Sequence, residues 1–270
     1  MTNEVRSNPT WSNTIRSVRE SVIPSVENQL GTLLASQPQL LVDAKSDPEA
    51  FILKTRTLLW ADYQRIEHQF FEVVLGHHAE WGVDLPDQSV SVTTQSDQLA
   101  AYMAAGMPQL YELALSTTNS RRSRAGSEFK FIVCHLLDAL AVPYISEAQI
   151  GTQRDKLELG KNVDVLIPSS DQYLRDRTSC VLLSLKTSLR ERWQQVAEEA
   201  QRTKAGLVCL LTLDNVAQAT WNTMSQSNIQ LIVPQQVKEN TFHGDERVLS
   251  INEYFLGKLP TWIAAHGYAK

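Results

Sequence analysis

The sequence predicts an α/β fold, a mixed sheet flanked by helices and preceded by an all-helical N-terminal domain. Three observations carry this. Across the first hundred or so residues apolar side chains recur at helical spacing. From about residue 119 short apolar stretches alternate with amphipathic ones, and segments 207–213 and 229–233 are apolar and uncharged, as strands buried on both faces should be. Finally, 270 residues with 43% hydrophobic and 20% charged side chains suffice for a large core. The expected division is a helical domain over 1–118 and an α/β domain over 119–270.

Each element has its own signal. Ile15, Val18, Val22, Val26, Leu30 and Leu34 share a helical face, with Pro24 as a break. Asp47 and Pro48 have the chemistry of an N-cap and a first helical position, and open a helix over 49–78. Residues 82–97, with Pro86 and many Ser, Thr and Gln, read as a linker. Helices are predicted over 98–115 and 126–140. Strands follow at 162–167 and 180–186, then a helix at 189–204, a strand at 207–213, a helix at 216–225 and a strand at 229–233. Residues 251–265 should add helical cover interrupted by Pro260.

Composition narrows the function. No run of about 18 apolar residues occurs, so no membrane span is expected. Residues 1–13 are polar and lack the apolar core of a secretion signal. Cys134, Cys180 and Cys209 lie far apart among apolar neighbours, which points to buried reduced thiols in a cytoplasmic protein. The net charge of −5 argues only weakly against a nucleic-acid partner. Locally the balance reverses: Arg121, Arg122, Arg124 and Lys130 face only Glu128 over 119–130.

The chemistry gathers on two predicted strands and the helix after them. Asp164 opens the first strand and Lys186 closes the second, so antiparallel pairing brings them side by side. An ion pair at a strand end is the plain alternative. On the following helix Trp193, Val196, Ala197 and Ala200 make a buried stripe, and Glu199 lies on its border, able to approach the same strand ends. Two carboxylates, Asp164 and Glu199, with the backbone carbonyl of Leu185, make a hard-oxygen donor set for a divalent cation. A lysine beside them can orient a water and stabilise charge on a phosphate. Arg190, Glu191 and Arg192 at the helix start have the shapes that read guanine and cytosine edges. Glu191 also completes a capping box with Ser188, and the arginines at 121, 122 and 124 fit a solvated basic loop as well as a DNA contact.

These residues resemble the PD-(D/E)XK nuclease superfamily, and within it the type II restriction endonucleases that recognise CCGG, CCNGG or CCWGG. In that group the acidic residue two before the lysine is replaced, here by Ser184, and the carboxylate comes from the next helix, here Glu199. Lys186 follows Asp164 by 22 positions and Glu199 follows Lys186 by 13, as in CCNGG-type members. Arg190, Glu191 and Arg192 match the group's Arg-(Asp/Glu)-Arg element, and Glu128 matches an upstream acidic residue near the site. Val163 stands where the superfamily's name has proline. The resemblance implies Mg2+-dependent hydrolysis of double-stranded DNA at a palindromic site with a CCGG-type core. It also implies a homodimer, with higher assembly left open. Arg121, Arg122 and Arg124 would then meet backbone or flanking bases. A repair or methylation-dependent nuclease, or a non-catalytic DNA-binding or assembly module, would share this core.

Overall fold

A computed structural model describes residues 9–81, 92–189 and 193–268. Its contacts divide the chain into two compact units, one of Met1–Gln29 with Leu58–Arg124 and one of Leu30–Thr57 with Ala125–Lys270. In chain order the helices are α1 (Pro9–Val22), α2 (Val26–Ser36), α3 (Gln39–Asp43), α4 (Pro48–Gly76) and α5 (Val92–Ala139). After them come α6 (Glu147–Thr152), α7 (Arg154–Leu157), α8 (Ser170–Arg175), α9 (Trp193–Thr203), α10 (Gln218–Met224), α11 (Gln235–Thr241), α12 (Ile251–Glu253) and α13 (Leu259–Ala265). The strands are β1 (Ile145–Ser146), β2 (Val165–Ile167), β3 (Val181–Lys186), β4 (Leu207–Thr212), β5 (Ile229–Val233) and β6 (Val248–Ser250).

The first unit is helical. Trp11, Ile15 and Val18 of α1 pack with Phe70, Val74, Trp81, Tyr102 and Leu113. Trp81 is its hub, edge-on to Trp11 at 5.9 Å and stacked on Tyr102 at 5.7 Å, geometries that suit the ring quadrupoles. Pro24 separates α1 from α2, as its missing N–H dictates. The helices expected at 98–115 and 126–140 are instead one, α5, whose 48 residues run from Val92 to Ala139. The predicted interruption at 116–125 does not occur. Arg121 Nε donates to Glu67 Oε1 at 2.8 Å and its terminal nitrogen to Glu67 Oε2, and Arg124 donates to the Pro24 carbonyl at 3.0 Å. The basic stretch is therefore helix rather than loop. Of the expected linker, residues 82–91 lie outside the described residues and 92–97 are helical.

The second unit is a six-stranded sheet in the order β1-β2-β3-β4-β5-β6. β1, β2 and β3 are antiparallel and β3 to β6 parallel, so the predicted mixed sheet is present. One face packs Leu166, Leu182, Leu210 and Leu231 with Val196 and Ala197 of α9 and Trp221 and Met224 of α10. Short elements such as β1, β6 and α6 escaped the sequence reading because two- or three-residue strands carry no periodicity. Pro260 does not interrupt the last helix. A π turn at Tyr254–Lys258 leads into α13, where Pro260 takes a first-turn position whose N–H has no intrahelical partner to lose.

The division differs from the expected boundary at 118/119. It falls inside α5, between Arg124 and Ala125, and residues 30–57 join the sheet unit. The start of α4 is bonded to the C-terminal part of the chain: Asn252 Nδ2 donates to Asp47 Oδ1 at 2.9 Å, Glu49 N donates to Asn252 Oδ1 at 2.9 Å, and Gln235 N donates to the Glu49 carboxylate.

Candidate active site

The site forms where the antiparallel and parallel parts of the sheet meet. Val165 pairs with Leu183 and Lys186 with Thr212, which puts the end of β3 between the start of β2 and the end of β4. Asp164 N donates to Leu183 O at 3.0 Å and extends the ladder one residue beyond β2. Ser184 Oγ donates to the Asn162 carbonyl, fastening the segment that leads into Asp164.

The Asp164 side chain is 0% exposed, so its charge needs partners. Oδ2 accepts from the Leu185 N–H at 2.7 Å and from the Lys186 ammonium at 3.4 Å. Oδ1 receives no well-aligned hydrogen bond and instead faces the Lys130 ammonium at 2.7 Å. Lys130 also donates to Glu147 Oε2 at 2.5 Å. Burial alone would lower the Lys130 pKa, but Asp164 and Glu147 outweigh it and the net shift is upward. One carboxylate thus sits between two ammonium groups.

Glu199, expected beside Asp164, makes its hydrogen bonds to the loop before β2 and to its own helix. It is buried on α9 with Oε1 accepting from Gly160 N at 2.8 Å and from Arg202 at 2.6 Å. A Cβ at Gly160 would stand 2.0 Å from Glu199 Oε2, so the glycine is what allows this close approach. The physical reason is local: an amide and a guanidinium beside the carboxylate fully engage one of its oxygens. Glu199 therefore clamps the loop before β2. Glu128 is buried on α5, near enough to the half-buried Arg56 guanidinium to attract it electrostatically.

Arg190, Glu191 and Arg192 lie outside the described residues. Leu189, just before them, donates its N–H to Asp214 Oδ2 at 2.9 Å, which ties the loop after β3 to the loop after β4. Among the upstream arginines, Arg121 and Arg124 are bonded within the helical unit, and Arg122 is exposed on α5. Sequence reasoning missed Glu147 and Asp214, and counted Lys130 only in the local charge balance. A lysine inside the apolar run from Phe129 to Leu137 is a signal, because such a charge needs a partner, but the partner 34 positions away is not readable from spacing.

A metal ion is implied by the resemblance, and the residues can be tested against it. Asp164 supplies hard oxygen donors, and its buried Oδ1 already has a cation next to it, both of which suit a divalent ion. Among the described residues no three His, Cys, Asp or Glu side chains are grouped closely enough to hold a metal. The fit is therefore carried by the Asp164 oxygens.

Known proteins resemble this chain along most of its length. The family described as EcoRII C terminal matches residues 90–255. The type II restriction enzyme SsoII of Shigella sonnei is 30% identical over 210 residues, 77% of this chain and 67% of the relative. The type II restriction enzyme EcoRII of Escherichia coli is 32% identical over 130 residues, 46% of this chain and 30% of that protein. Among solved structures, metal-depleted Ecl18kI in complex with uncleaved, modified DNA superposes with a TM-score of 0.82 at 25% identity, covering 96% of this chain and 86% of the other. A PspGI–substrate DNA complex shares the fold, with a TM-score of 0.66 at 19% identity over 90% of this chain and 95% of that one. No helix among the described residues is long and apolar enough to cross a membrane.

Proposed function

This chain belongs to the EcoRII C-terminal family and is a type II restriction endonuclease that cleaves double-stranded DNA, and from that premise we propose that it performs Mg2+-dependent hydrolysis at a palindrome with a CCGG-type core. The observation that carries the site assignment is the buried Asp164 carboxylate held 3.4 Å from the Lys186 ammonium at the end of β3. Asp164 would hold the cation, joined by Glu199 and the Leu185 carbonyl, and Glu128 would add negative charge nearby. When bound, Mg2+ supplies a Lewis acid for the scissile phosphate and lowers the pKa of a water.

Lys186 does the rest of the work that this chain's side chains perform. Its side chain is only 12% exposed and its ammonium lies against the same carboxylate, so it can hold an attacking water in line and offset charge building on the phosphate oxygens. Arg190 and Arg192 would donate to guanine O6 and N7, and Glu191 would accept from cytosine N4. Reading a palindrome this way needs two copies related by a two-fold axis, each cutting one strand. Arg121, Arg122 and Arg124 would meet phosphates or flanking bases, and Arg122 is exposed on α5.

Digestion of plasmid DNA with Mg2+, followed by sequencing of the cut ends, tests the reading. Discrete cuts at CCGG, CCNGG or CCWGG support it. Cuts dependent on methylation, or none at all, point to the other members of this core. Asp164→Ala and Lys186→Ala should each reduce cleavage by at least about a thousandfold while duplex binding persists. Full activity in either variant would remove the site assignment.

A further inference from the structure

We propose that Lys130 is a positioning residue that occupies the cation side of Asp164 in the metal-free enzyme and yields it to the divalent ion by withdrawing onto Glu147. The inference rests on the metal-dependent reading above. Its basis is a single contact set: the Lys130 ammonium is 2.7 Å from Asp164 Oδ1 and 2.5 Å from Glu147 Oε2. Oδ2 is already committed to the Leu185 N–H and Lys186, so Oδ1 is the oxygen with capacity left for an incoming ion. A wholly buried carboxylate is costly unless its charge is offset, and Lys130 adds to Lys186 the counter-charge at Oδ1 when no ion is present.

An ammonium and a divalent ion on one carboxylate oxygen repel strongly in a partly dry site. Lys130 must therefore move when the ion enters. Glu147, on α6 and more exposed than Asp164, is already bonded to it and gives the displaced charge a place to stay. Glu147 therefore favours ion entry, and Lys130 opposes it. The two side chains act in opposite directions on the same equilibrium.

The test is Mn2+ uptake by the metal-free, full-length protein, read from the electron paramagnetic resonance signal of the free ion. Lys130→Gln should take up Mn2+ roughly ten-fold more tightly than the unaltered chain, and Glu147→Gln several-fold more weakly. Lys130→Arg should restore the original affinity. Unchanged or weaker uptake by Lys130→Gln, or shifts of the same sign in both variants, would overturn the proposal. Should Lys130→Gln fail to fold, Glu147→Gln decides: unaltered affinity there overturns it. Asp164→Ala sets the baseline. If the unaltered chain binds Mn2+ no better than this variant, the metal-site reading itself fails, an outcome distinct from failure of the Lys130 role alone.

Discussion

Burial governs how single side chains ionise here. It pushes the Cys134 and Cys180 thiols up to about 11 and the Cys209 thiol up to about 12. A thiol in the unfolded chain titrates near about 8.5, so the fold favours the protonated form. That contribution to stability is complete below about pH 8.5 and is lost as pH rises toward 11 and 12. At pH 8 the native protein should leave Cys180 and Cys209 unmodified by a disulfide reagent, while protein in urea reacts at all three. Rapid native labelling would contradict the burial. The same principle explains which site residues were legible. Asp164 and Lys186 announce themselves as charges at the ends of apolar strands. Lys130, on a helix, needed the packing of α5 before its partner could be known.

Elements inherit constraints from the side chains that anchor them. Gly106 lies inside α5, where replacing glycine with alanine ordinarily stabilises a helix by about 1 kcal/mol. A Cβ there would meet the Trp81 ring at 2.6 Å, and that ring is buried between Trp11 and Tyr102. Gly106→Ala should therefore destabilise, by about 1–3 kcal/mol, in urea unfolding followed by tryptophan fluorescence. Arg121 makes a second case. Its side chain is 45% exposed, but that of Glu67, whose carboxylate it pairs with, is 3% exposed and also accepts from Tyr63 at 2.8 Å. Arg121→Ala leaves that charge buried and should cost about 2–4 kcal/mol of stability. If Arg121 acts only within the helical unit, the slope of DNA affinity against salt stays unchanged in this variant; a shallower slope would put Arg121 on the DNA surface. From sequence the segment 116–125 looked like a break because its polar residues have weak helix signals, and its anchors at Pro24 and Glu67 are remote in order.

At the scale of the molecule, the sheet unit is assembled from two separated stretches, Leu30–Thr57 and Ala125–Lys270. Phe51 and Ile52 of the first stretch are buried, and Asp47 and Glu49 bond to Asn252 and Gln235. A fragment of 119–270 alone should therefore lack a cooperative melting transition by circular dichroism. A sharp melt comparable to the full chain would show that 30–57 is dispensable. The sequence by itself determined the fold class, the helical start, the four main strands and the Asp164–Lys186 pair, because strand alternation and capping act between neighbours in the chain. It also carried the family, since motif spacing is a property of order. Only the tertiary structure decided that α5 is continuous, that residues 30–57 join the sheet unit, that Glu199 faces Gly160 and that Lys130 covers Asp164. Those outcomes depend on which distant group reaches a charge first, and a buried charge takes the nearest partner the packed chain provides.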